Sequence, residues 1–310
     1  MEYCLETHDL CKSYGRFKAL SGLTLHVPKG AIYGLVGRNG AGKTTLLRLI
    51  CGLQRPDSGH YTIYGVDGRD RNIGSIRRRM GAVVETPAFC RDMTARDNLV
   101  LQYKALGLPS YDGIDEILRM VGLSDTGQKK AKHFSLGMKQ RLGIAVALCG
   151  HPDFIVLDEP VNGMDPEGIV EIRELILRLN REQQITFLIS SHILEELSKL
   201  ATHYGFIDSG VTVKEISARE WEASCRQCIR LTVSDTKAVC CALDGMGETP
   251  GGKVEYAVVS DSEVDVFGEV NITRLVVTLQ KSGCEVLSLH ERSESLENYY
   301  INLMGGGNHA

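Results

Sequence analysis

An α/β fold on a largely parallel sheet, followed by a smaller α+β unit, is the class this sequence predicts. Three observations carry that reading. Strand-like and helix-like segments alternate through roughly the first two hundred residues, the pattern of strands joined by crossover helices. A glycine-rich stretch, Gly37-Arg38-Asn39-Gly40-Ala41-Gly42-Lys43-Thr44-Thr45, links an apolar run to a helical one. After Ser217 the composition shifts, and a glycine-rich segment from Gly245 to Lys253 interrupts a second, shorter series of elements. The domain boundary is therefore placed between residues 216 and 217, giving units 1–216 and 217–310.

In chain order, apolar runs predict strands at Leu23–Val27, Ala31–Val36, His60–Tyr64, Gly81–Val84, Phe154–Leu157, Thr186–Ser190 and His203–Ile207. Helices are predicted at Lys43–Cys51, Ala95–Leu106, Tyr111–Val121, Leu136–Cys149, Glu167–Asn180 and Ile193–Leu200. Asp208-Ser209-Gly210 is a turn signal, and Val211–Ile216 reads as a strand leaving the first unit. The second unit should hold strands Ile229–Val233, Tyr256–Val259, Val264–Phe267 and Val286–Leu289 with helices Thr236–Leu243 and Ile272–Ser282, a split βαβ arrangement. Helix Leu296–Met304 and a polar tail, expected to be disordered, close the chain.

Apolar content of 43% and charged content of 24% are those of an ordinary globular protein, and a net charge of −4 supplies no basic footprint for nucleic acid. No direct nucleic-acid partner is therefore expected. No apolar run approaches the roughly 18 residues needed to span a bilayer, so any membrane role must run through a partner. The chain opens at Met1-Glu2 without a signal peptide, and its ten scattered cysteines read as reduced, mostly buried thiols of a cytoplasmic protein.

The glycine-rich stretch has the context of a phosphate-binding loop, since Ala31–Val36 precedes it and Leu46–Ile50 follows. Glycines let successive backbone N–H groups turn around a polyphosphate, and the helix adds its positive end. Lys43 supplies a charge for the β- and γ-phosphates, and the Thr44 hydroxyl can ligate Mg²⁺. Such spacing arises by accident in on the order of one in a hundred chains of this length. Downstream, Phe154-Ile155-Val156-Leu157 ends in Asp158-Glu159, and a parallel strand delivers its carboxyl end to the ligand crevice. Asp158 is then placed to hold Mg²⁺ and Glu159 to accept a proton from water. Two acids after a strand could instead cap a helix. Ser135 reads as an N-cap, and a helix start with a nearby glycine can also bind an anion.

With these segments in this order, residues 1–215 resemble the nucleotide-binding subunit of an ABC transporter. The resemblance identifies Tyr14 as the aromatic that stacks on adenine and Gly37–Thr45 as the Walker A loop. It makes Phe154–Glu159 the Walker B strand, Phe134-Ser135-Leu136-Gly137-Met138 the signature, Asp165 part of the D-loop and His192 the switch histidine. It implies a P-loop ATPase fold with a helical subdomain, and ATP with Mg²⁺. It also implies a head-to-tail dimer in which ATP lies between one phosphate loop and the Ser135 helix of a second copy. Lys43, Mg²⁺ and His192 would then stabilise the transferred phosphoryl group while Glu159 activates water. The expected partner is an integral-membrane permease, holding this chain at the inner face of the membrane.

Two departures from the family pattern stand out. The signature keeps Ser135 and Gly137 but has Leu136 and Met138 where glycine and glutamine are usual. Glu85 replaces the usual glutamine of the coupling loop, as in the subgroup that exports bacitracin or lantibiotics and confers resistance to them. Glu85 is accordingly expected to contact the metal or its water shell in the closed, ATP-bound state and to swing away when the dimer opens. A soluble ATPase acting on a protein or nucleic acid is the competing reading. Cys225-x-x-Cys228 lacks a second ligand pair, Arg77-Arg78-Arg79 reads as a solvated face, and Leu99, Tyr103 and Leu106 read as helix packing within the candidate coupling surface.

Overall fold

The computed structural model describes residues 2–224, 227–245, 248–249, 252–267, 271–281, 283–293 and 296–305. The chain divides into two compact units, Met1–Ala218 and Arg219–Ala310.

The first unit opens on a hairpin of β1 (Tyr3–Tyr14) and β2 (Phe17–Pro28), each 12 residues long. Hydrophobic pattern alone finds only Leu23–Val27 of it, and the reason is bulging. Asp9 adopts φ 47 and the β1–β2 register slips between Thr7 and Leu10, so buried Leu5, Thr7 and Leu10 fall out of period two. β3 (Ile32–Val36) follows, wholly buried, then α1 (Lys43–Ile50), β4 (Ser58–Ile63) and β5 (Val66–Asp67). An antiparallel sheet forms in the order β2-β1-β4-β5. Leu46, Leu47, Leu49 and Ile50 of α1 join Leu5, Leu23 and Leu25 of this sheet in one buried cluster. Burial is worth about 1.5–3 kcal/mol for each such side chain, so tertiary packing holds this short helix.

A short helix that periodicity did not reveal, α2 (Ile73–Arg77), leads to β6 (Met80–Val83). α3 (Ala95–Leu106) begins in a capping box of Thr94 and Asp97 and stops at Gly107, φ 69. α4 (Ile114–Met120) and α5 (Leu136–Leu148) pack with it as a helical subdomain, where Leu99 and Tyr103 are buried. β7 (Phe154–Asp158), α6 (Pro166–Gln183), β8 (Thr186–Ser191), α7 (Leu194–Ser198), β9 (His203–Asp208) and β10 (Val211–Ser217) complete the unit. The central sheet runs β10-β9-β3-β8-β7-β6, parallel from β9 to β6 and antiparallel only at β10. The basic run is not simply a solvated face. Arg77 Nε donates to the carbonyl of Ile50 at 3.2 Å, and Arg79 pairs with Asp153 over the Tyr64 ring.

In the second unit come α8 (Ala218–Ser224), β11 (Gln227–Val233), α9 (Thr236–Gly245), β12 (Glu248–Thr249), β13 (Gly252–Lys253), β14 (Glu255–Ser260), β15 (Glu263–Phe267), α10 (Ile272–Lys281), β16 (Val286–Ser293) and α11 (Leu296–Gly305). The antiparallel order β14-β15-β11-β16 is that of a split βαβ fold, with Leu231, Val239, Val264, Val266, Leu275 and Leu279 in its own core. Of the Cys225–Cys228 pair, Cys228 is buried and Cys225 lies outside the described residues, as does the tail from residue 306. Burial pushes the thiols of Cys4, Cys51 and Cys149 up to about 12, which leaves them protonated and inert. Among the described residues, no helix is long and apolar enough to cross a membrane.

Candidate active site

The loop between β3 and α1 takes its shape from glycines that nothing larger could replace. Gly42 holds φ 108, and a Cβ there would stand 2.6 Å from the carbonyl oxygen of Ala19. At Gly37 a Cβ would come within 2.6 Å of the Ile207 carbonyl. With Gly40 also at φ 83, the chain curls so that the start of α1 faces an open cavity of about 500 Å³.

Lys43, the first residue of α1, is only 6% exposed, so its ammonium needs partners. It donates to the Gly37 carbonyl at 2.6 Å and lies 3.5 Å from Glu159 Oε1. Beside it the Thr44 hydroxyl donates to Asp158 Oδ2 at 2.9 Å. The parallel register of β7 against β8 sets Asp158 opposite Ser190. Ser190 Oγ donates to Asp158 Oδ1 at 2.5 Å and accepts from the Glu159 amide at 2.9 Å, so one buried hydroxyl orients both acids. Glu159 turns off the strand at φ 50, which swings its carboxylate toward the loop. His192, one residue past β8, places Nδ1 2.6 Å from Glu159 Oε2. A cation, two carboxylates, a hydroxyl and an imidazole therefore meet at one end of the parallel sheet, where strand order delivers ligand sites.

Among the residues expected from sequence, Arg38, Asn39, Gly40, Gly42, Lys43, Thr44, Thr45, Glu159 and His192 line the cavity. Gly37 and Ala41 shape the loop behind it, and Asp158 lies buried beneath Thr44. Ser135 instead caps α5, accepting from the Met138 amide at 3.2 Å, and Asp165 caps α6, accepting from the Gly168 amide at 3.2 Å. A Cβ on Gly137 would come 3.2 Å from Met164 Cε, so the start of α5 lies against the segment before α6. Ser135 and Gly137 are not among the residues that line this chain's cavity.

Tyr14 and Glu85 take partners of their own within this chain. Tyr14 does not line the cavity; its hydroxyl bonds Gln54, while its hairpin partner Phe17, 58% exposed, stands at the cavity wall. Glu85 lies in the loop that follows β6. Its carboxylate pairs with the Arg48 guanidinium on α1, where the loop turns at Glu85 with φ 64. Phe17, Ser190 and the cavity contact of Asn162 escaped the sequence reading. Only Ser190 left a signal there, as the residue ending a core strand just before His192.

The ABC transporter family model matches residues 20–162. The chain is 39% identical over 311 residues to the bacitracin transport ATP-binding protein BcrA of Bacillus licheniformis, with 99% of each chain covered. Against BcrA of Enterococcus faecalis it is 36% identical, covering 99% of this chain and 98% of that one. The lantibiotic transport ATP-binding protein SrtF of Streptococcus pyogenes is 40% identical over 220 residues, 71% of this chain and 92% of its own. A dimeric ATP-binding cassette solved in a post-hydrolysis state with ADP and phosphate superposes with a TM-score of 0.62 at 25% identity, covering 69% of this chain and 99% of that one. The fold, the site and these full-length matches place the chain in the family of ABC transporter ATP-binding proteins, and its enzymatic activity is ATP hydrolysis.

Proposed function

We propose that this chain is the ATP-hydrolysing subunit of an exporter for peptide antibiotics of the bacitracin or lantibiotic type, working with a separate membrane permease at the inner membrane face. The observation that carries the catalytic half is the Lys43–Glu159–His192 contact set beside the Thr44–Asp158 pair. The cargo rests on the near full-length similarity to two bacitracin transport proteins and on Glu85 in the coupling loop.

Glu159 Oε1, 3.5 Å away, is an anion beside the buried Lys43 ammonium. Phosphates entering the glycine loop offer Lys43 a better partner, which frees the Glu159 carboxylate to take a proton from the attacking water. His192 holds that carboxylate in place and stands at the cavity wall to meet charge developing on the transferred group. Thr44 Oγ and the Asp158 carboxylate are hard oxygen donors, a set suited to Mg²⁺, which when bound would neutralise charge on the phosphates. Ser135 and Gly137, away from their own cavity, would close over the nucleotide of a second copy. A further cavity of about 340 Å³ between α3 and α4, lined by Arg96, Asp115 and Arg119, is the proposed seat of the permease contact.

The test is Glu159→Gln. The amide keeps shape and phosphate contacts but cannot accept a proton, so turnover should drop by about 10²–10⁴-fold while ATP binding persists and an ATP-bound dimer accumulates. Near-normal hydrolysis would remove Glu159 from its role. Expressed with its permease, the parent chain should raise tolerance to bacitracin or a lantibiotic, and the Glu159→Gln chain should not.

A further inference from the structure

A basic strip borders the cavity between α3 and α4. From Thr126 to Pro152 the sequence holds no acidic residue, yet it carries Lys129, Lys130, Lys132, Lys139 and Arg141. The first part of that stretch folds back on the residues before α3. The Lys132 amide donates to the Arg91 carbonyl at 2.8 Å and the Ala131 amide to the Met93 carbonyl at 2.9 Å, while Lys130 forms an antiparallel bridge with Thr94. These bonds bring Arg91, Lys129, Lys130 and Lys132 together as exposed residues, beside an exposed Met93. One carboxylate, Asp92, stands among them. Lys132 Nζ bonds it at 2.7 Å and, with the charges of Lys130 and Arg91 nearby, holds its carboxyl below the usual range. Three cations thus gather at one anion, and among the described residues neither Arg91 nor Lys130 has a side-chain ion pair of its own. Like charges left in excess repel one another and attract an outside anion.

We propose that this strip contacts the anionic lipid headgroups of the inner membrane face. It is continuous with the cavity proposed as the permease seat: Thr94 lines that cavity and pairs with Lys130, and Gln128 lines it one residue before Lys129. The placement at the membrane rests on that reading of the cavity. A surface adjoining the seat of a membrane-embedded partner lies close to the headgroup layer, which is negatively charged on the cytoplasmic side. Arg91, Lys129, Lys130 and Lys132 do not line the cavity themselves but stand exposed beside it. Such an arrangement suits a diffuse anionic layer better than one enclosed ligand. Each basic residue near an anionic bilayer strengthens binding about fivefold, so three or four give a real but reversible attraction. Met93 adds a small apolar contact at the same place. The strip would hold the ATPase level with its permease without any spanning segment.

The experiment sediments the full-length chain, without permease, on vesicles of phosphatidylcholine containing phosphatidylglycerol and on vesicles of phosphatidylcholine alone. Binding is expected to the anionic vesicles only, and it should weaken as salt is raised, because exposed charges are screened. Arg91→Glu and Lys130→Glu should each lower the affinity about tenfold or more, whereas Lys130→Arg, which keeps the charge, should bind like the parent. ATP hydrolysis by these variants in the absence of vesicles should keep the parental rate and KM, which excludes misfolding and a contact with nucleotide. Equal binding to both vesicles, binding to neither, or charge reversals that bind like the parent would overturn the proposal. So would reversals that leave vesicle binding intact but loosen the detergent-purified complex with the permease, since the strip would then serve an acidic segment of that protein. The permease reading is tested apart, by Arg119→Glu inside the cavity. If that change leaves the permease complex intact, the seat is wrong, while the vesicle result still stands or falls on the strip alone.

Discussion

Ser190 shows how much of this site depends on one small side chain. Fully buried on β8, it spends its single proton on Asp158 and offers its lone pair to the Glu159 amide, fixing the two acids relative to each other. Ser190→Ala removes both contacts but leaves the Glu159 amide bonded to the Ser190 carbonyl at 3.1 Å, so the strand should survive. The loss falls on positioning. Turnover should fall on the order of tenfold to a hundredfold, with ATP affinity within a few-fold of the parent, because small misplacements of catalytic groups cost rate before they cost binding. Steady-state ATPase kinetics beside equilibrium nucleotide binding read out this split, and an equal fall in both would make Ser190 a simple binding residue.

At the scale of elements, the joint between the two sheets of the first unit turns on Glu215. This residue of β10 accepts from the Tyr33 hydroxyl of β3 at 2.6 Å and from the His26 amide of β2 at 2.8 Å, and it pairs with His26 Nδ1 at 2.9 Å. Tyr33 is 1% exposed, and burial with the Glu215 carboxylate beside it raises its phenol well above the usual range, so it remains a neutral donor. Glu215→Ala orphans that hydroxyl and should lower unfolding free energy by about 1–3 kcal/mol. Glu215→Gln, which keeps an acceptor, should cost less. Urea unfolding monitored by circular dichroism measures both, and an unchanged midpoint for Glu215→Ala would show that another acceptor takes the proton. α1 follows the same logic of placement by packing: Gly42, its N-cap, has no side chain to bond the first turn, and buried leucines hold the helix instead.

For the whole molecule, the division near Ala218 separates the candidate site from a unit with its own core. The cavity-lining residues run from Phe17 to His192, all within the first unit. A fragment ending at Ala218 should therefore stay soluble and bind ATP with near-parental affinity, measured with a fluorescent nucleotide analogue. An insoluble fragment would mean that residues beyond 218 complete the core.

By itself the sequence determined what local chemistry can write into residue order. The glycine loop between strand and helix, the Asp158-Glu159 pair ending an apolar strand and His192 after the next one were all legible. So was the split βαβ order of the second unit, because buried parallel strands and short antiparallel ones leave plain apolar runs. Tertiary structure decided the rest. β1 hid behind its bulges, since a shift of register erases the alternation that marks a strand. Phe17 stands at the cavity wall and Arg48 pairs with the Glu85 carboxylate, because each contact turns on which partner a fold brings close. Ser190 sits 31 residues from the Glu159 amide it holds. No local pattern encodes that contact, which exists only once β7 and β8 lie side by side.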